Sequence, residues 1–190
     1  IRPQELGKLK ERLTQGGLWE KYTAAIHLGL ILQQDSIDTL YKALWKEENW
    51  FVPRAIREAI LSLTQQGLRP TQIRPQELGK LKKRLTQGGH WESYTAAIAL
   101  GFILQQDSID TLYEALGKEE SLEHFRTIRN SIFLLSQQGL RPTQIKPVEL
   151  AELKERLTQE KEWTERERTA IILGFIPQQD SIDTLYEAVW

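Results

Sequence analysis

Three histidines, His27, His90 and His124, and a recurring pair of carboxylates, Asp35 with Asp38, are the side chains best suited to hold a metal ion or move a proton. Two imidazoles on one helix share a metal only when three or four residues apart, because that spacing puts them on one face. The histidines stand at non-equivalent places with no such spacing, so they read as ordinary surface or boundary residues. No metal and no cofactor are expected. Asp35 and Asp38 could be drawn as an acid/base pair. Their place at the start of a helical pattern suits them better to capping free N–H groups and meeting the positive end of the helix. With no cysteine there is no thiolate nucleophile and no sulfur-based zinc site, and no G-x-S-x-G, Walker or G-x-G-x-x-G arrangement is present. No catalytic residue is assigned, and the chain reads as a non-enzyme.

The charge balance bears on partners. Lys and Arg number 25 against 26 Asp and Glu, a formal net charge of -1, which lacks the electrostatic footprint of a nucleic-acid binder. The run "KLKERL", returning as "KLKKRL", places Lys8 with Arg12 and Lys80 with Arg84 on one helix face. Glu5 and Glu77, three residues ahead of Lys8 and Lys80, favour ion pairs on a solvated helix over a phosphate-binding stripe. Neither nucleic acid nor membrane is expected as a partner, since no apolar run is long enough for a transmembrane helix. The absence of cysteine fits a reducing, cytoplasmic setting. Methionine is absent too, so Ile1 is not a natural start and a trimmed, excised or engineered chain is expected.

The elements that carry these residues are repeated. "QQDSIDTLY" begins at Gln33 and returns unchanged at Gln105 and Gln178. Chemistry needs a motif once, whereas architecture needs it each time it is extended. Ile1–Leu44 and Ile73–Leu116 differ only at Glu11/Lys83, Leu18/His90, Lys21/Ser93, His27/Ala99, Leu30/Phe102 and Lys42/Glu114. A third copy starts at Ile145 and gains one residue in "TQEKEWTER". The units are 1–72, 73–144 and a partial 145–190 within one array spanning 1–190. Within each, apolar residues recur at three and four, as at Leu6, Leu9 and Leu13 or Ile37, Leu40, Tyr41 and Leu44, the spacing of a helix and not a strand. Four helices per unit are expected: from Pro3 to the Gly16-Gly17 pair, from about Trp19 to Leu32, from a start capped by Asp35, and from about Phe51 to Leu63. In the third unit Thr164 with Glu167 forms a capping-box pattern that restarts the second helix. Eleven helices result. The recurring Trp19, Trp91 and Trp163 and Tyr41, Tyr113 and Tyr186 read as packing residues between modules.

A shift of 31 residues superposes Leu9 on Leu40, Trp19 on Trp50 and Ala24 on Ala55, so each unit is two helix-turn-helix modules. The stretches "YTAAIHLGLILQQDSIDTLYKAL", "YTAAIALGFILQQDSIDTLYEAL" and "RTAIILGFIPQQDSIDTLYEAV", with "VPRAIREAI" at Val52, resemble the HEAT-repeat family, especially the short HEAT-like repeats of phycobilisome lyases and bacterial scaffold proteins. The resemblance covers almost the whole chain and implies an all-α, right-handed solenoid of stacked helical hairpins, with second helices on the inner face. It departs from the family in the long Pro-containing loop between alternate modules and in the tryptophans of the second helix. It implies a non-enzymatic scaffold for protein–protein interaction. Two other readings stay open: a chromophore-lyase-like accessory protein, and an engineered or consensus array without a natural ligand, favoured by the near-identical copies.

The copies disagree most at one corner, "WKEENWFVP" from Trp45 against "GKEESLEHF" from Gly117. A constant frame with a rewritten corner is how repeat binders separate partners, and Trp and Arg make good anchors. Drift at a loop under little constraint would look the same. Trp45, Trp50 and Phe51, with Arg54, Arg57, Arg126 and Arg129 on the adjoining helix, are the expected contacts for a protein partner. A second surface is expected in "SIDTLYEAVW", where Ile182, Leu185, Tyr186, Val189 and Trp190 make an apolar stripe. An end-to-end homo-oligomer or the rest of a larger protein would cover it.

Overall fold

In the computed structural model the described residues are 3–47, 49, 51–71, 75–119, 121–143, 147–160, 162–176 and 179–189, with side chains described for all of these except 3, 75, 76, 147–149, 179, 180 and 187–189. Among them lie eleven α-helices and no strand: α1 Pro3–Gln15, α2 Leu18–Gly29, α3 Gln34–Leu44, α4 Phe51–Gln65, α5 Pro75–Gln87, α6 His90–Leu100, α7 Gln106–Leu116, α8 Leu122–Gln137, α9 Pro147–Gln159, α10 Trp163–Gly174 and α11 Gln179–Val189. The chain forms two compact units, Ile1–Ile103 and Leu104–Trp190.

In the first unit α1 packs on α2 and α3 on α4, and the two hairpins meet through α2 and α4. Their apolar spacing puts Leu13, Leu28, Ile37, Leu40, Leu44, Ile56, Ile60 and Leu63 out of reach of water, each such side chain contributing about 1.5–3 kcal/mol. The two helices α2 and α4 approach closely because Gly29 has no side chain: a Cβ there would stand 2.7 Å from the Cβ of Ala59 and 2.8 Å from its Cα. The hairpin of α5 and α6 adds on through α3 and α6. In the second unit α7 packs on α8, α9 on α10, and α11 on both α9 and α10. Leu112, Phe125, Ile128, Ile132, Leu157 and Leu173 form its interior.

The repeated nonapeptide has a structural task, which differs from the expected one. Gln33, not Asp35, is the N-cap of α3, and its side chain makes no cap bond. Asp35 instead pairs with Lys10 of α1. Starting α3 at Gln34 puts Gln34 and Asp38 on one face, four residues apart. Gln34 Nε2 donates to the carbonyl of Arg69 at 2.7 Å. Asp38 Oδ1 accepts from Thr71 N and Oδ2 from Thr71 Oγ1, both at 2.8 Å. The second copy repeats this: Gln106 donates to the Arg141 carbonyl at 2.7 Å, and Asp110 accepts from Thr143 N and Oγ1 at 2.7 Å. The loop they hold is shaped by "QQGL". Gly67 and Gly139 take φ of 91° and 90°, Leu68 N donates to Leu63 O and Gly67 N to Thr64 O, and Leu140 and Gly139 do likewise. That is a Schellman ending, and its left-handed residue favours glycine.

Two further boundaries shift. α2 stops at Gly29, with Leu30 as C-cap, where the ladder tightens: Leu30 N donates to His27 O at 3.2 Å and Ile31 N to Leu28 O at 3.1 Å. α10 begins at Trp163 behind Glu162, ahead of the expected Thr164 cap. Thr164 Oγ1 is used on Glu162 Oε1 at 3.1 Å.

Candidate protein-interaction surface

The residues expected to bind a partner divide between the two units. The corner around Trp45 is anchored from within. Glu47, 4% exposed, accepts from Lys21 Nζ at 2.8 Å and from Asn49 Nδ2 at 3.0 Å. Asn49 Oδ1 then accepts from the N–H groups of Phe51 and Val52, capping α4. Trp45 is half-buried, edge-on to Tyr41, and its carbonyl accepts from Arg84 at 2.6 Å. Trp50 lies outside the described residues.

In the second copy the same cap is built from other residues. Ser93 stands where Lys21 was and donates to the Leu85 carbonyl instead. Glu119 accepts from Ser121 N at 2.8 Å, and His124, 5% exposed, sits 3.5 Å from it through Nδ1. So Lys21 with Glu47 is exchanged for His124 with Glu119, and the rewritten corner includes a half-buried lysine replaced by a buried histidine as the partner of one acidic anchor. His124 is a buried cap residue and not a surface histidine. Among the described residues no group of three His, Cys, Asp or Glu is placed to hold a metal.

Arg54 is exposed on α4; Arg57 is half-buried and pairs with Glu58 at 2.9 Å. Arg126 is exposed on α8 of the second unit, and Arg129 beside it is tied to Asn130 Oδ1 at 3.2 Å.

A larger exposed surface lies along α2. Trp19, Tyr22 and Ile26 follow at spacings of three and four, with Leu30 four further on, which aligns them down one side. Trp19 is 66% exposed, Ile26 41% and Leu30 76%. Trp19 is therefore mostly displayed, and so is Trp163 at 71% exposure; Trp91 is half-buried against His90 and Tyr94. Phe51 of α4 stacks on Tyr22 at 4.4 Å and 14° and receives Trp19 edge-on at 5.1 Å. Between α2 and α4 runs a groove of about 630 Å³. Gly29, Ala55 and Ala59 form its small-residue side, Tyr22, Ile26, Leu30 and Phe51 its apolar walls, and Arg54 and Glu58 its charged edge. Sequence reasoning reached Phe51 and Arg54 here and missed Tyr22, Ile26 and Leu30. The signal was present in α2, whose "LWEKYTAAIHLGL" carries apolar residues on more faces than one neighbour can cover.

On α11, Ile182 is 56% exposed, Tyr186 69% and Leu185 half-buried. The side chain of Val189 and the whole of Trp190 lie outside the described residues. No helix among those described is long and apolar enough to cross a membrane.

No protein-family model and no curated protein matches the chain. Among solved structures, a crystal structure of an engineered protein is similar at 18% identity and a TM-score of 0.43, over 97% of this chain and 85% of that one.

Proposed function

We propose that the chain is a non-enzymatic protein-interaction scaffold whose first unit binds an amphipathic helical segment of another protein in the groove between α2 and α4. The observation that carries this reading is the continuous exposed face of Trp19, Ile26 and Leu30 beside the stacked Tyr22–Phe51 pair. Contiguous apolar surface with a charged edge is characteristic of binding sites. The small residues Gly29, Ala55 and Ala59 let an incoming backbone approach closely, and walls drawn from two helices suit a helix presenting a stripe of apolar side chains. Arg54 and Glu58 at the edge supply opposite charges that set the direction of the bound segment.

Selection from a phage-displayed library of helix-forming peptides tests this. Enriched peptides should carry apolar residues at three- and four-residue spacing, and Trp19→Ala and Ile26→Glu should each weaken them about tenfold or more. No enrichment over an I26E control, or peptides indifferent to both substitutions, would remove the groove as a binding site.

A further inference from the structure

A second groove, of about 380 Å³, lies between α1 and α2 and is lined by Glu5, Leu9, Arg12, His27 and Leu30 among others. Its counterpart one repeat later is filled. There Glu77, Leu81 and Arg84 of α5, Ala99 of α6 and Phe102 just beyond it hold the corresponding places, and α3 docks against this surface. Tyr41 Oη donates to the Ala99 carbonyl at 3.4 Å, Arg84 donates to the Trp45 carbonyl at 2.6 Å, and Glu77 acts electrostatically on the Tyr41 phenol. The two surfaces share their backbone turn: Leu30 N donates to His27 O at 3.2 Å as Phe102 N does to Ala99 O. Leu81 and Ala99 are sealed at 1% and 0% exposure, whereas Leu30 is 76% exposed and His27 is open to water.

The segment that would fill the first groove is also present in the chain. α11 repeats the α3 sequence from Gln34 through Tyr41 letter for letter, as Gln179 through Tyr186. Tyr41 is 2% exposed, Tyr113 8%, and Tyr186 69%.

We propose that α11 of one copy of this chain docks through Tyr186 into the α1–α2 groove of a second copy, reproducing between molecules the α3 junction found within the first unit. The internal junction shows that this surface and this helix sequence are complementary, and the matching pieces stand open on both sides of the new interface. Because groove and helix are different surfaces, the association is head-to-tail and either closes into a ring or continues as a chain. One difference sets its strength. His27 brings an imidazole to the place where the internal junction has only the methyl group of Ala99, so the intermolecular junction is looser than the internal one.

Sedimentation velocity over a concentration series, with single-cysteine cross-linking, tests the proposal. The chain has no cysteine, so His27→Cys and Tyr186→Cys each introduce a single thiol. A short bis-maleimide should join a mixture of H27C and Y186C into dimers and leave each variant alone uncoupled. In sedimentation the mass should rise with concentration, Y186E should raise the dissociation constant at least about tenfold, and H27A should lower it. Both positions are exposed, and circular dichroism checks that the helices persist. A monomeric mass at every concentration, association unchanged by Y186E, or cross-linking of Y186C to itself in place of H27C would overturn it. Neither His27 nor Tyr186 lines the α2–α4 groove, so peptide binding and self-association can fail independently.

Discussion

Asp38 grips Thr71 with both carboxylate oxygens, Oδ1 on the backbone N–H and Oδ2 on the hydroxyl, each at 2.8 Å. The two residues are 33 positions apart, and the grip ties the loop that leaves α4 to the start of α3. Asp110 and Thr143 repeat it in the second unit.

Asp38→Ala should therefore destabilise the protein. Asp38 is buried at 8% exposure while Thr71 is exposed, so water takes over part of what Thr71 loses and the expected cost is about 1–2 kcal/mol. Asp110 is only half-buried, and D110A should cost less than D38A. Asp38→Asn, which keeps one acceptor oxygen, should fall between wild type and D38A. Urea midpoints of the three variants check the ranking; equal values for D38A and wild type would remove the clasp as a stabilising element.

Gly29→Ala sets two effects against each other. Within a helix the change is worth up to about 1 kcal/mol in favour of alanine. The new Cβ, however, would lie 2.7 Å from the Ala59 Cβ and 2.8 Å from its Cα. The second atom belongs to the backbone of α4, so no side-chain rotation relieves the clash and the helices must separate. The clash wins, with a net loss of roughly 1–3 kcal/mol. Adding Ala59→Gly should recover part of it and not all, because the new methyl group still meets the backbone of α4. Thermal melts of G29A and the double variant measure both steps.

How much of this was legible in the sequence follows from what each signal encodes. The repeat period and the three- and four-residue spacing are local, and they located all eleven helices. What Asp38 does is not local: the sequence placed it in a first helical turn, and its partner Thr71 is found only once the chain has folded back. The same holds for the exchange of Lys21 with Glu47 for His124 with Glu119, whose partners lie 26 residues apart in one copy and five in the other. The exposure of Trp19 was not legible, because recurrence alone does not tell a fully packed residue from one that is mostly displayed. At 66% exposure it is displayed, touching Tyr22 and Phe51 at its base. Arg54, at the edge of the α2–α4 groove, was reached because it follows the corner where the copies differ, while Ile26 and Leu30 lie where the copies keep an apolar residue and so gave no contrast.

The junction between α3 and the α5–α6 hairpin should weaken in alkali, and Tyr41 is the reason. Burial foremost, and the Glu77 carboxylate next, hold its phenol above the ordinary tyrosine value, with the neighbouring Trp45 opposing them. The folded state thus prefers the neutral phenol more strongly than the unfolded chain does. A raised folded value means the contribution is whole below the unfolded value of about 10 and is lost as pH climbs above it, by up to about 1.4 kcal/mol per pH unit. Tyr41→Phe removes the titrating group and only a long hydrogen bond, 3.4 Å to the Ala99 carbonyl, so at pH 8 it should cost no more than about 1 kcal/mol. Between pH 8 and pH 11 the urea midpoint of the wild type should then fall further than that of Y41F, and the two should converge or cross. Parallel losses in both proteins would mean that alkaline sensitivity arises elsewhere than at this buried phenol.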